Sequence, residues 1–257
     1  MRIKLIIQYL GTNYSGWQTQ AGQDSVQAQL ERAVLAVTGK HSCVEGSGRT
    51  DAGVHAAALA AHFDADSRIP PENFCLALNA HLPSDIRVLD SCQVDENFHA
   101  RFSAKRKTYI YNFYVSQISL PLLSSTYAHI KPPFDFTLAQ QACKAFVGTH
   151  DFKAFMSTGS NKKDTVRTIF DCSLNKNSPP WRGGTECRGG LNGVYTLRIT
   201  GNGFLYNMVR IIAGTVFEVG AGKIPPEKVA DIIAAGNRKQ AGQTAPACGL
   251  TLESVEY

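Results

Sequence analysis

Residues 46–56 read Gly46-Ser47-Gly48-Arg49-Thr50-Asp51-Ala52-Gly53-Val54-His55-Ala56, a guanidinium, a hydroxyl and a carboxylate in a row between glycines. Three glycines in so short a stretch leave no helix and no regular strand. They suit a loop whose backbone takes φ > 0 and comes close to a ligand. A carboxylate on such a loop can serve as a nucleophile or as a general base. Taken alone, Asp51-Ala52-Gly53 reads as a simple turn in which Asp51 bonds its own backbone. A catalytic carboxylate has to stay ionised at neutral pH, and a neighbouring cation favours that form. Arg210 is the candidate. It lies in an apolar-striped helical segment, two residues after Met208 and one before Ile211. That position either faces inward with a partner or lets the side chain snorkel to the surface.

A second group follows from Arg101. Arg101, Lys105, Arg106 and Lys107 run into Tyr109 and Tyr111. Cations that hold phosphates next to a ring that stacks a splayed base are what single-stranded RNA recognition requires. The competing reading is a strand tyrosine packed into the core, and the two tyrosines share a face, so spacing does not choose between them. Thr50 and His55 read as structural residues that fix the Asp51 loop. The seven cysteines are scattered without a Cys-x-x-Cys pair, which argues for reduced thiols and against a zinc site or a disulfide framework. Gly201-Asn202-Gly203 lacks the G-x-G-x-x-G spacing of a nucleotide fingerprint.

The elements that must carry these residues follow from periodicity. With 257 residues, 44% of them hydrophobic, the chain can build one large core or two modest ones. It has no apolar run near membrane-spanning length, and its first residues alternate like a strand and not like a signal peptide. The spacing predicts a strand at 2–9, a helix capped by Asp24 and Gln27 and closed by Gly39, a short strand at 42–45, a strand at 56–63, a helix opened by Pro70 and Pro71, and a strand at 86–93. This is the β-α-β-β-α-β order of a ferredoxin-like domain. A second such set runs from a strand at 107–115 through a helix capped by Thr137 and Gln140 and closed by Gly148. Strands at 167–174 and 194–200, the Met208–Val219 stripe, a helix after Pro226 and a last strand at 250–255 complete it.

The expected architecture is α+β. Two ferredoxin-like halves, 1–104 and 105–257, join their antiparallel sheets into one larger mixed-order sheet with helices on one side. Residues 1–104 carry a net charge of −3 and the remainder +8, so phosphate contacts would lean on the second half. Residues 176–193, with Trp181, Arg182 and Arg188, read as a surface insertion or an RNA-touching flap.

The Asp51 loop resembles the catalytic segment of the tRNA pseudouridine synthase A family. So do Tyr14-Ser15-Gly16-Trp17-Gln18, Asn79-Ala80-His81-Leu82-Pro83-Ser84-Asp85-Ile86, Phe98-His99-Ala100-Arg101-Phe102-Ser103-Ala104, Gly148-Thr149-His150-Asp151-Phe152, Thr165-Val166-Arg167-Thr168-Ile169, residues 204–214 and Gly249-Leu250. The resemblance implies a pseudouridine synthase fold and a cytoplasmic homodimer, free of cofactor and metal. Such an enzyme isomerises uridine at positions 38, 39 and 40 of the tRNA anticodon stem-loop. It implies Asp51 as nucleophile, Tyr109 stacked on the target and able to move the C5 proton, Arg210 paired with Asp51, and Arg49 helping to flip the base out. Whether the carboxylate attacks C1′ or takes the 2′ proton stays open. Leu10 stands where the family usually has Asp, and Ala57-Ala58-Leu59 replaces a common Gly-Gln. Two other functions compete: a non-catalytic RNA-binding module, and a nucleosidase that hydrolyses the glycosidic bond. A hydrolase would call for a second carboxyl as acid, and none stands near Asp51 in sequence.

Overall fold

The computed structural model describes residues 1–159, 162–178 and 191–257. Among these residues, five α-helices accompany ten strands that all belong to one mixed-order sheet. By contacts the chain divides into two compact units, Met1–Lys107 with Thr251–Tyr257, and Thr108–Leu250.

The first unit contains β1 (Arg2–Tyr9), α1 (Val26–Thr38), β2 (Glu45–Gly46), β3 (His55–Asp64), α2 (Phe74–Asn79) and β4 (Ile86–Val94). β1 lies between β4 and β3 and is antiparallel to both, and β2 pairs antiparallel with β3. The split β-α-β order expected for this half is therefore present. Ile3, Leu5, Ile7 and Tyr9 form the buried face of β1, as their alternation requires. α2 packs against α1 and β4, and the Asn79 amide clasps the Val88 backbone, donating to its carbonyl and accepting from its N–H, both at 2.8 Å.

The second unit contains β5 (Arg106–Ser116, from Thr108 onward), β6 (Ala128–Ile130), α3 (Phe136–Lys144), β7 (Gly148–Asp151), β8 (Val166–Asn177), β9 (Leu191–Gly201), α4 (Met208–Gly220) and α5 (Lys228–Ala235). The order is β5-β9-β8-β7, with β6 parallel to β5. α3 packs on β8 and on α4. Phe113, Phe134, Tyr195 and Phe217 stack and tilt against one another at centroid distances from 4.7 to 5.4 Å. The last strand, β10 (Leu250–Glu256), runs parallel to β3 through Thr251 and Leu252.

Several local expectations are corrected. Ser25, and not Asp24, caps α1: its hydroxyl accepts from the Ala28 N–H at 3.2 Å, while the Asp24 carboxylate is taken by Gln29 and Arg32. Asp135, and not Thr137, caps α3 by accepting from Thr137 and Leu138. In both places two nearby residues could each cap, and the one with extended backbone just before the first helical turn does so. α3 ends at Lys144 with Ala145 as its C-cap, so Gly148 does not close it. Gly148 instead opens β7 at φ 117°, and neither β7 nor β6 was expected. The strand foreseen at 42–45 shrinks to Glu45–Gly46. The two ends of the 176–193 segment are strand, Lys176 and Asn177 in β8 and Leu191–Gly193 in β9. Its middle, with Trp181, Arg182 and Arg188, lies outside the described residues. Among the described residues no helix is long and apolar enough to cross a membrane, and the six described cysteines form no disulfide.

Candidate active site

The Asp51 loop joins β2 to β3 and rests on the segment that follows β1. Glycines make the approach possible. A Cβ at Gly11 would stand 2.0 Å from the Val54 carbonyl oxygen, and one at Gly46 would stand 2.6 Å from the Trp17 ring. Gly16, at φ +98°, leaves only 2.4 Å between that position and the Thr50 carbonyl oxygen. Hydrogen bonds lock the two segments together. Trp17 N–H donates to the Thr50 carbonyl at 3.0 Å, Gly53 N–H to the Tyr14 carbonyl at 3.4 Å, and Gly11 N–H to His55 Nδ1 at 2.9 Å. The Tyr9 and Thr50 hydroxyls meet at 2.8 Å in the interior. Thr50 and His55 are buried and fix the loop.

Asp51 opens a tight turn. Val54 N–H donates to the Asp51 carbonyl at 3.1 Å, and Gly53 takes φ +77° at the third position, where a type II turn demands a positive φ. The turn thus uses the backbone of Asp51. Residue 51 itself is half-buried, between buried Thr50 and exposed Ala52, so it is not sealed in the core. Tyr14, Asn13 and Leu10 are tied in turn to Asp85, through its carboxylate and its backbone carbonyl. Burial and that carboxylate push the Tyr14 phenol well above its ordinary value, so it stays a neutral donor. Leu10 precedes the 3-10 turn Gly11–Asn13 and supplies no side-chain cap.

The basic residues of this unit divide by environment. Arg49 is exposed and makes no hydrogen bond or ion pair among the described residues. Lys107 Nζ donates to the Ser47 carbonyl at 2.5 Å and so braces the loop. Lys105 and Arg106 are exposed. Lys105 N–H donates to the Glu256 carbonyl, and Arg106 Nε stands 4.0 Å from the Glu256 carboxylate. Arg101 is exposed and lies over the Phe102 ring.

In the second unit, Tyr109 is 9% exposed, with Phe204 edge-on at 5.1 Å. Phe204 begins the short connection from β9 to α4, and Arg210 is in the first turn of α4. Tyr109 and Arg210 are therefore linked within one unit through five residues of chain. Arg210 is half-buried. Its Nε donates to the Ala245 carbonyl at 2.7 Å and its Nη1 to Asn207 Oδ1 at 3.0 Å. Asn207, in the left-handed region at φ 59°, also holds Ser157. A guanidinium bound at two of its nitrogens presents a fixed direction, not a snorkelling side chain. Tyr111, on the same strand face, is fully buried and donates to the Pro246 carbonyl at 2.7 Å, so of the two tyrosines it is the core one.

Sequence spacing gave no hint of a third grouping. Glu45, His62 and His99 bring ligand-type atoms within 4.8 Å of one another, and His99 Nε2 is 3.0 Å from Glu45. A histidine that ligates a metal donates from its other ring nitrogen. Here both Nδ1 atoms accept instead, His62 from Ala100 N–H and His99 from Arg101 and Phe102 N–H. The proton of neutral His99 therefore sits on Nε2 and is given to Glu45. The three groups form a hydrogen-bonded brace for residues 99–102 and are poorly disposed to hold a metal. Burial, with the charges of His99 and Arg2, pushes His62 below its ordinary value of 6.5, against smaller opposing effects of Glu45 and Asp64. Below that value the unfolded chain takes up this proton more readily than the folded one, so stability falls as pH falls. The expected result is a thermal midpoint that declines from pH 7 to pH 5, and a shallower decline in His62→Asn. Parallel curves for the two proteins would show that His62 is not the group responsible.

The comparisons with known proteins agree over almost the whole chain. The family model described as tRNA pseudouridine synthase matches residues 5–103 and 142–257. A protein named tRNA pseudouridine synthase A from Acetivibrio thermocellus is 46% identical over 255 residues, covering 99% of each chain. Proteins of the same name from Clostridium botulinum and Caldicellulosiruptor saccharolyticus are 45% and 42% identical, with the same coverage.

Proposed function

The chain belongs to the tRNA pseudouridine synthase family, and from that premise we propose that it acts on uridines 38, 39 and 40 of the tRNA anticodon stem-loop. The family reaction is an isomerisation of uridine to pseudouridine in tRNA. The C1′–N1 bond breaks, a C1′–C5 bond forms, C5 gives up its proton and N1 gains one. No electrons enter or leave and no group is lost, so the chemistry calls for no redox cofactor.

In this reading Asp51 is the nucleophile, or the base that removes the 2′ proton. Arg210 pairs with it and keeps it ionised. Tyr109 stacks on the target uracil and moves the C5 proton. Arg49 fills the gap left by the flipped nucleotide, and Arg101, Lys105, Arg106 and Lys107 hold phosphates. Two chains associate, and the enzyme works in the cytoplasm, where its substrate is. The observation that carries the reading is the carboxylate at residue 51. It is half-buried at the start of a turn that a second glycine-bearing segment holds rigidly, as a preorganised reacting group should be.

The positional claim is tested by incubating the protein with tRNA transcripts that carry a single uridine at 38, 39 or 40, and mapping pseudouridine by carbodiimide-dependent primer-extension stops. Stops are expected at each of the three positions. Modification confined to other positions would refute the assignment, and release of free uracil would favour the nucleosidase.

A further inference from the structure

We propose that Phe102 is a stacking platform for a base of the bound tRNA other than the target uridine. The proposal rests on the tRNA-modifying reading above and adds a contact to it. Phe102 is 74% exposed. A lone exposed apolar residue needs no explanation, but this one is held in place. His99 stands behind it with ring centroids 4.3 Å apart. The backbone N–H of Phe102 and that of Arg101 both donate to His99 Nδ1, and the chain closes on itself through His99 N–H to Ser103 Oγ at 3.1 Å and Ser103 N–H to the His99 carbonyl at 2.9 Å. His99 is anchored in turn by Glu45 at 3.0 Å. The ring is thus presented to solvent on a preorganised turn.

Its surroundings select the occupant. The Arg101 guanidinium lies 5.6 Å from the centre of the Phe102 ring, and Lys105 and Arg106 are exposed a few residues on. A hydrophobic protein partner would have to desolvate these cations. A nucleic acid supplies what both kinds of group want, a flat π face for the ring and the guanidinium and phosphates for the cations.

The test compares wild type, Phe102→Ala, Phe102→Trp and Arg101→Ala in equilibrium binding and steady-state kinetics with tRNA. Phe102→Ala is expected to raise KM and Kd for tRNA about tenfold, within the usual range for one stacked base, with kcat within about twofold. Phe102→Trp should restore affinity, and its added indole fluorescence should be quenched by tRNA. Arg101→Ala should lower the slope of log Kd against log salt by about one, a change that Phe102→Ala leaves out. The inference is overturned if Phe102→Ala binds tRNA like wild type, or if it loses affinity only because self-association is lost in sedimentation. A wild-type protein that forms no pseudouridine would instead defeat the functional reading on which this one stands.

Discussion

Asp51→Ala is expected to lower the rate of tritium release from C5-labelled uridine in tRNA by at least about a thousandfold, as for removal of a reacting side chain in other enzymes. Binding of tRNA should stay within about twofold, because phosphate contacts and not the carboxylate dominate affinity. The folded state should survive, since the turn at residues 51–54 uses the Asp51 carbonyl and the φ of Gly53, neither of which the substitution touches. Asp51→Asn keeps the shape and removes the charge. Loss of activity there, with an unchanged melting temperature, would assign the effect to the ionised carboxylate. Wild-type turnover in either variant would return Asp51 to the role of a turn residue, whereas tRNA binding without turnover in the wild type would favour the non-catalytic RNA-binding module.

The glycine-bearing Asp51 loop was legible because glycine spacing and a carboxylate leave a mark in one short window. The same is true of β1, where Ile3, Leu5, Ile7 and Tyr9 alternate, and of α4, whose apolar stripe runs from Met208 to Val219. What escaped depends on residues distant in sequence or on choices between neighbours. Glu45, His62 and His99 meet only because β2 and β3 pair and the chain after β4 returns to them. The helix caps were misplaced by one or two residues because Asp24 and Ser25, or Asp135 and Thr137, are equally able acceptors until the backbone decides between them. The Lys107 ammonium lies against the Ser47 carbonyl, a contact that no local pattern encodes. The two tyrosines of β5 needed coordinates as well. Both lie on one face by parity, and only their partners, Pro246 for Tyr111 and Phe204 for Tyr109, tell them apart.

Gly16→Ala should cost the enzyme about a hundredfold in rate, although residue 16 carries no chemistry. The substitution adds a Cβ 2.4 Å from the Thr50 carbonyl oxygen at a residue with φ +98°. The obstacle is backbone, and that carbonyl accepts from Trp17 N–H, so the clash cannot be relieved by turning a side chain. The Thr50–Asp51 peptide has to move. A shift of the order of 1 Å in a reacting group costs about a hundredfold in rate, and the strain lowers stability by about 2–4 kcal/mol. Gly22→Ala supplies the control. Gly22 also has a positive φ, +74°, but nothing lies within 4 Å of the added Cβ. It should show only the intrinsic left-handed penalty of about 1 kcal/mol, with turnover unchanged. If the two variants lose stability and activity equally, backbone conformation alone explains the glycines. If only Gly16→Ala loses turnover, the close approach of this segment to Thr50 is what holds Asp51 where it reacts.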